Sequence, residues 1–324
     1  MLYLNTTHLK HLNLPWRLCI ETIRRTVQVM AAHEFSQPIK PYLLFDQDPS
    51  SRIIAMPAYV GGDIGMAGIK WIASFPGNHA RQMPRAHSVT ILNDSGSGKP
   101  LAMINSPLIS GIRTASVSGL MIQEYEKVHP WTDKIIAGMV GFGPIGQLHL
   151  SMLTELLGDR LGEIRIFDQN PAVLQHIPDG LKAKVRCVDS WEEAYEGADL
   201  FLTCTISGSG YIDRKPKERS LLLNVSLRDF TPDILGYTSA IVVDDWEEVC
   251  RANTDIEHMS IQRGLKKEDT VSIADVVCGN GLAKFPEHEA VMFNPMGMAA
   301  FDIAMGSLYY REALNAGCGE ELED

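Results

Sequence analysis

Residues 134–168 limit the fold more tightly than any other stretch of this 324-residue chain. Lys134–Val140, KIIAGMV, is a short apolar run of the kind that forms a buried strand. It passes directly into Gly141-Phe-Gly143-Pro144-Ile145-Gly146, and a helix-compatible segment follows. A second run, EIRIF at 163–167, ends at Asp168, 22 residues after Gly146. Glycines at this spacing do three separate things. The first permits the tight turn, the second lets a pyrophosphate approach the backbone, and the third lets helix and strand pack closely. The helix N-terminus then faces the phosphates. An acid at the end of the next strand suits a ribose 2′-hydroxyl. Gln169, Asn170 and Pro171 bring no positive charge beside Asp168, so the cofactor expected is NAD rather than NADP. A glycine turn in an α/β domain that binds nothing is the competing reading. Strand, loop, helix and acid all in register argue against it. Pro144 is a departure that removes one N–H from the loop.

Beyond Asp168 short apolar runs alternate with helical segments: LKAKVRCV, WEEAYEGA, LFLTCTI, LLLNVSL, AIVVDDW. Such alternation implies a doubly wound parallel sheet of the Rossmann type. The first ~115 residues read differently. Pro15 opens a helix with Ile23, Val27 and Met30 on one face. RIIAMPAY (52–59), MAGIKWIA (66–73) and SVTIL (88–92) are strand-like, and NDSGSGKP between SVTIL and LAMIN reads as a hairpin turn. Residues 106–126 read as a helix with Ser106 as N-cap and Pro107 in its first position. The C-terminal MAAFDIAMGSLYYREALN is helical again. The expected organisation is a mixed α/β domain over 1–115, the dinucleotide domain over 116–296, and a helix over 297–324 that returns to the first domain.

Hydrophobic residues at 45% and charged residues at 21% supply an ordinary core. A formal net charge of -11 disfavours nucleic acid and anionic membranes as partners. The six cysteines form no CxxC pair and no zinc-spaced cluster with histidine, so reduced thiols and no metal are expected. MLYLNTTHLK lacks a signal pattern, and no apolar run reaches the ~18–20 residues of a membrane span. A cytoplasmic setting is expected.

Against that acidic background, a site for an anion must concentrate positive charge locally. Lys70 lies between Ile69 and Trp71, and alternation puts it on the opposite face. A lone strand lysine is ordinarily just solvated. Arg113 sits among small residues in LISGIRTASVSGL, where a surface role is not obvious and a ligand role is. Lys40 lies in the stiff segment QPIKPYL, with a surface lysine as the alternative. Arg85 is a further candidate, for an extra substrate carboxylate or for cofactor phosphates. Asp229 follows LLLNVSL, at the carboxyl end of a parallel strand where ligands bind. Helix capping is its alternative, and Asp245 is ambiguous in the same way. Cys204 in LTCTI reads as a small buried residue rather than a nucleophile. Thr203, Thr205, Asn224, Val225, Ser226, Pro295, Met296 and Gly297 complete the cofactor-lining candidates. The rest of NPMGMAAFDIAM reads as packing.

Together these residues resemble the ornithine cyclodeaminase/μ-crystallin family. The likeness rests on GIKW (68–71), SGIRTAS (110–116), the glycine loop, the strand leading to Asp229, and NPMGMAAFDIA (294–304), and it spans nearly the whole chain. QPIKPYL (37–43), RIIAMPAYVGG (52–62), GIKWI (68–72), LTCTIS (202–207), VVDDW (242–246) and NPMGMA (294–299) are most similar to one branch. That branch oxidatively cleaves a glutamate whose nitrogen carries a 2-amino-2-carboxyethyl group. The resemblance implies NAD chemistry at a carbon–nitrogen bond. It also implies a substrate and dimerisation domain made from the two ends of the chain, and a homodimer formed through the N-terminal sheet. By the same resemblance Lys40, Lys70 and Arg113 hold a substrate α-carboxylate, and Asp229 is the acid/base residue, with Lys70 assisting. Three positions depart from the family pattern. Lys40 replaces an arginine and forfeits its bidentate fork. Pro295 replaces a serine near the nicotinamide. Asp233 replaces a lysine. These departures weaken a case for ornithine cyclisation. Cyclodeaminase, alanine dehydrogenase and ketimine reductase activities, and ligand binding without catalysis, stay open. Lys70, Arg113 and Asp229 occurring together speak against a pure binder.

Overall fold

A computed structural model describes residues 1–323. The chain divides into two units, Met1–Arg113 with the segment from Gly297 onward, and Thr114–Met296.

The first unit begins with β1 (Leu2–Asn5) and α1 (Thr6–Leu12), where the Asn5 side chain accepts the Thr7 and His8 N–H groups. α2 (Trp16–Ala31) buries Ile20, Ile23, Val27 and Met30, one helical stripe. β2 (Phe35–Ser36) and β3 (Tyr42–Phe45) both pair with β4 (Asp48–Val60). β5 (Met66–Ser74), β6 (Ala86–Asp94) and β7 (Pro100–Asn105) continue the antiparallel ladder. Pro57 falls between the stretches of β4 that β2 and β3 cover, a place where a missing N–H is tolerated. The expected hairpin is closed by Asp94, which accepts from Gly98 N through its carbonyl and from Ser97 N through its side chain. α3 (Leu108–Val128) starts two residues after Ser106, whose hydroxyl accepts the Leu108 N–H. Pro107 precedes its first turn rather than occupying it.

In the second unit, β8 (Ile135–Val140) leads through the glycine loop into α4 (Pro144–Leu157) and β9 (Leu161–Phe167). β10 (Val185–Cys187), α5 (Trp191–Tyr195), β11 (Leu200–Thr203) and β12 (Leu221–Asn224) follow. Then come β13 (Ile241–Val243), α6 (Trp246–Val249), α7 (Asp255–Arg263), β14 (Val271–Ser272), α8 (Ile273–Cys278) and β15 (Val291–Asn294). The sheet is parallel, in the order β10-β9-β8-β11-β12-β15-β13-β14. The chain runs outward from β8 through β9 to β10, then returns to the other side of β8 at β11. Ligands of such sheets bind at the carboxyl ends beside that reversal. A core of Phe201, Leu222, Phe230, Ile241, Val249, Ile256 and their neighbours fills one side of the sheet.

Two expectations fail here. Residues 181–188 are not one strand: Leu181 ends a 3-10 turn, Lys184 N bonds back to Leu181 O, and only β10 is extended. β15 was not expected, and it inserts between β12 and β13.

The chain then returns to the first unit as α9 (Ala299–Ala316) and β16 (Glu320–Glu321), which pairs with β1. The first sheet runs β16-β1-β7-β6-β5-β4-β2, with β3 also on β4. α9 covers one face: Ile303 lies over Gly68, where a Cβ would come within 3.0 Å, and Gly306 packs against Leu92 and Ile104. Trp71 and Tyr59 are exposed. Among the described residues no helix is long and apolar enough to cross a membrane.

Candidate functional site

The glycine loop has the geometry its spacing implies. Gly141 has φ +91°, and a Cβ there would lie 2.5 Å from the Cys204 carbonyl oxygen, so β8 and β11 converge on a residue with no side chain. Around Gly143 nothing lies within 4 Å of an added Cβ, which leaves the backbone approachable. At Gly146 a Cβ would meet the Gly141 carbonyl oxygen at 2.4 Å. Gly143 is the N-cap of α4 and Pro144 its first residue, so the proline gives up an N–H that the helix does not use. Ile145 and Gly146 follow at the N-terminal end of the helix. Asp168 lies beside this loop: one carboxylate oxygen accepts from Phe142 N at 2.6 Å and the other from Asn170 N at 2.8 Å. These residues fit a dinucleotide.

His149, one turn into α4, is fully buried. Its Nδ1 lies 2.8 Å from the Ile145 carbonyl and its Nε2 2.9 Å from the Ser118 hydroxyl. Burial brings its pKa down to about 4, so the ring is neutral, Nδ1 donates and Nε2 accepts. Cys204 is nearby, and burial pushes its thiol well above the usual range, as befits a packing residue.

Asp229 lies within a polar network at the carboxyl ends of β11 and β12. It is fully buried. Thr205 Oγ1 donates to Asp229 Oδ1 at 2.5 Å, and the Ser226 hydroxyl bonds the other oxygen. Its side chain caps no helix, whereas Asp245 does, accepting from Glu248 N at 2.9 Å. Thr203 Oγ1 donates to Asn224 Oδ1 at 3.1 Å, and Asn224 Nδ2 donates to Asp255 Oδ2 and Asn294 Oδ1, each at 2.8 Å. Val225 and Ser226 turn the chain away from β12, with Ser226 N donating to the Thr203 carbonyl. Asp255 Oδ2 also accepts the N–H groups of Asp229 and Phe230 at 3.1 Å. Burial lifts the Asp255 carboxyl to about 6, against the hydrogen bonds it accepts from Asn224, Phe230 and Asp229. After β15, Pro295 is buried and Met296 N donates to Asp244 Oδ1 at 3.0 Å.

The first unit buries a cluster of cations. Lys40, Lys70 and Arg113 are 4, 2 and 7% exposed. Lys70 lies on the face of β5 that α9 covers, so alternation placed it correctly, but it is not solvated. Its Nζ donates to Asp302 Oδ2 at 2.7 Å and contacts Ser110 Oγ at 3.3 Å. Arg113 donates from Nε to Asp302 Oδ1 at 3.0 Å and from Nη2 to Oδ2 at 3.4 Å. Lys40 donates to the Gly297 carbonyl at 2.8 Å. Gly297 has φ +85°, and a Cβ there would lie 2.4 Å from Arg113 Nη1. Gly297, read from sequence as a cofactor contact, is thus also a structural member of this cluster. Two cations meet the Asp302 carboxylate directly, and Lys40 lies beside them on the Gly297 carbonyl. Burial draws the Lys70 pKa down to about 8, opposed by Asp302 and reinforced by Arg113 and Lys40. Burial raises the Asp302 carboxyl, but Arg113 and Lys70 outweigh it and hold it below the usual range.

Arg85 is not buried with the others. It is exposed, next to the Ala86–Ser74 end of the β5–β6 ladder, four residues along β5 from Lys70. Asp302 was missed: the sequence reading took its segment as packing. The signal was there, a single acid in the apolar run MAAFDIAM. Asp255 and Asn294 were missed too, and no local pattern marks them.

Fold and site define an α/β protein with a dinucleotide-type glycine loop and a buried cationic cluster. The chain belongs to the ornithine cyclodeaminase/mu-crystallin family, whose model matches residues 8–317. It is 29% identical to N-((2S)-2-amino-2-carboxyethyl)-L-glutamate dehydrogenase of Staphylococcus aureus, over 99% of this chain and 98% of that protein. Among solved structures it resembles Thermococcus litoralis Delta(1)-pyrroline-2-carboxylate reductase in complex with NADH and L-proline. The TM-score is 0.88 and the identity 23%, with 99% of this chain and 100% of the other covered. An archaeal alanine dehydrogenase dimer with bound NAD gives a TM-score of 0.85 and 23% identity, with 100 and 99% covered.

Proposed function

We propose that this protein is an NAD-dependent oxidoreductase that cleaves N-(2-amino-2-carboxyethyl)-L-glutamate, with water, to 2-oxoglutarate and L-2,3-diaminopropionate. The observation that carries the reading is the buried pair Lys70 and Arg113 sharing the single carboxylate of Asp302, with Lys40 buried close by. An excess of buried positive charge is costly without an anion to meet it, and this substrate brings three carboxylates. The Staphylococcus aureus relative supports the choice of substrate.

NAD, held by the Gly141–Gly146 loop and Asp168, would supply the acceptor for a hydride from the glutamate Cα. Asp168, with no basic neighbour, suits the ribose hydroxyls of NAD rather than a 2′-phosphate. Lys40, Lys70 and Arg113 bind and orient the carboxylate next to the reacting carbon, and that positioning is the main service of the site. The substrate nitrogen must be neutral for its lone pair to form the ketimine, and Asp229 accepts its proton. Thr205 and Ser226 hold the Asp229 carboxylate in place through their hydroxyls. Water then adds to the ketimine carbon, and Asp229 returns a proton to the departing nitrogen as the carbon–nitrogen bond breaks. The same family likeness leads to a homodimer as the working assembly.

The test mixes purified protein with NAD and N-(2-amino-2-carboxyethyl)-L-glutamate, and assays L-ornithine in parallel for ammonia and proline. NADH formed together with 2-oxoglutarate is the expected result, and Asp229→Asn should lower kcat by about 10²–10⁴-fold while still binding NAD. Ammonia and proline from ornithine, with no NADH in the first assay, would move the protein to cyclodeamination.

A further inference from the structure

We propose that Asp302 is a positioning residue for the substrate carboxylate, fixing Lys70 and Arg113 side by side as one oriented cationic pair. The inference rests on the proposed reading of that cluster as a carboxylate site and goes one layer behind it. Asp302 comes from α9, Lys70 from β5 and Arg113 from α3, three elements far apart in sequence. The carboxylate is 3% exposed, and each of its oxygens is committed. Oδ1 takes Arg113 Nε, and Oδ2 takes Lys70 Nζ with Arg113 Nη2. A guanidinium held through Nε and Nη2 has a fixed plane, which leaves its Nη1 edge to face elsewhere. That edge lies against the bare Cα of Gly297, where a Cβ would come within 2.4 Å of Nη1. Lys70 has three N–H groups, of which Asp302 and Ser110 engage two.

A plain structural ion pair explains less. Buried ion pairs kept only for the fold contribute little, since apolar residues of the same volume do as well. Here one carboxylate meets two cations directly, and Lys40 lies close enough to push the Lys70 ammonium toward its neutral form. Asp302 is the group that holds Lys70 charged. It does so while leaving donors on both cations, which is the arrangement a second carboxylate, the ligand's, requires. Asp302 touches no substrate in this account; it acts through Lys70 and Arg113.

Two variants test it in the full-length protein with NAD present. Asp302→Asn keeps size and shape but removes the charge, and Asp302→Glu keeps the charge but displaces it by a methylene. Isothermal titration with 2-oxoglutarate at pH 7, in two buffers of different ionisation enthalpy, reads affinity and proton uptake together. The wild type, with Lys70 mostly charged, should take up little proton on binding. Asp302→Asn should bind on the order of 10²-fold more weakly, and should take up close to one proton as the anion recharges Lys70. Asp302→Glu should restore the low proton uptake without full affinity. With the full substrate, the alkaline limb of kcat/KM should move to lower pH in Asp302→Asn. If Asp302→Asn fails to fold, Asp302→Glu carries the test through affinity alone, and unchanged affinity there overturns the proposal. Equal affinity and equal proton uptake in wild type and Asp302→Asn would do the same, as would a wild type that binds no 2-oxoglutarate. A wild type that binds 2-oxoglutarate but forms no NADH from the substrate sinks the proposed reaction and leaves the positioning role to be judged on the titration.

Discussion

Asp255 is a carboxyl that folding handles at a loss. It accepts three N–H groups, which favour the carboxylate, yet burial lifts it to about 6 from the ordinary 3.8. The folded state therefore binds this proton more readily than the unfolded chain does. Its ionisation opposes folding, and the penalty is absent below about pH 4 and complete above about pH 6, on the order of 3 kcal/mol. Asp255→Asn removes that dependence while keeping an oxygen for the Asp229 and Phe230 N–H groups. Because other groups titrate alike in both proteins, they cancel in the difference between their Tm values. That difference, variant minus wild type, should grow as pH rises from 4 to 7; a difference flat across that window means that the Asp255 carboxyl ionises as freely as in water. Asp255 also shows where reading residues from sequence stops. Asp229 was legible because it follows a strand end. Asp255 opens α7 behind its N-cap Thr254, where an acid is ordinary helix chemistry. Nothing local says that it is buried under Asn224. Lys70 shows the same limit from the other side: alternation fixed its face, but only α9 and the distant Asp302 explain why a strand lysine is buried.

At the scale of elements, the β8–loop–α4–β9 stretch was the most legible part of the chain, because each glycine answers to a steric demand that spacing alone reveals. Those demands differ, and substitution separates them. Gly143 has φ -67° and open space around it, so Gly143→Ala should fold with a Tm within a few degrees of wild type. The added methyl then occupies the approach to the loop backbone, and NAD affinity should fall by at least about tenfold, a loss of roughly 1.4 kcal/mol. Gly146→Ala places its methyl 2.4 Å from the Gly141 carbonyl oxygen, so α4 must shift against β8 and stability should fall along with NAD binding. Calorimetry of both variants with and without NAD separates the cases, and a Gly143→Ala that binds NAD normally rules out pyrophosphate approach at that residue. Other elements were less legible for equally physical reasons. β15 is four apolar residues between loops, too short to show a period, and its place between β12 and β13 is set by pairing with strands some 50 and 70 residues earlier. LKAKVRCV reads as one strand because basic residues at 182, 184 and 186 alternate with apolar ones, but the turn at Leu181–Lys184 consumes its first half. In the N-terminal sheet β4 to β7 were visible, since each is long or bounded by a strong turn, whereas the short β1, β2, β3 and β16 and the parallel β1–β7 pair were not.

The whole molecule sets a conflict between long-range and local charge. The chain carries a formal net charge of -11, while the proposed substrate has more carboxylates than amines. At ionic strength near 0.01 M the Debye length is ~30 Å, so an approaching anion feels most of that charge; at 0.15 M it is ~8 Å. Lys40, Lys70 and Arg113 are buried, and salt screens buried charges far less than exposed ones. Added salt should therefore weaken the repulsion before it weakens the binding contacts. The association rate of 2-oxoglutarate, followed by stopped-flow fluorescence with NAD present, should rise several-fold between these salt concentrations, and its dissociation rate should change little. L-Ornithine, a net cation, should show the opposite slope if it binds at all. A 2-oxoglutarate association rate that falls from the lowest salt upward would mean that the buried cations already govern the approach, and that the acidic surface lies too far from the entry path to matter.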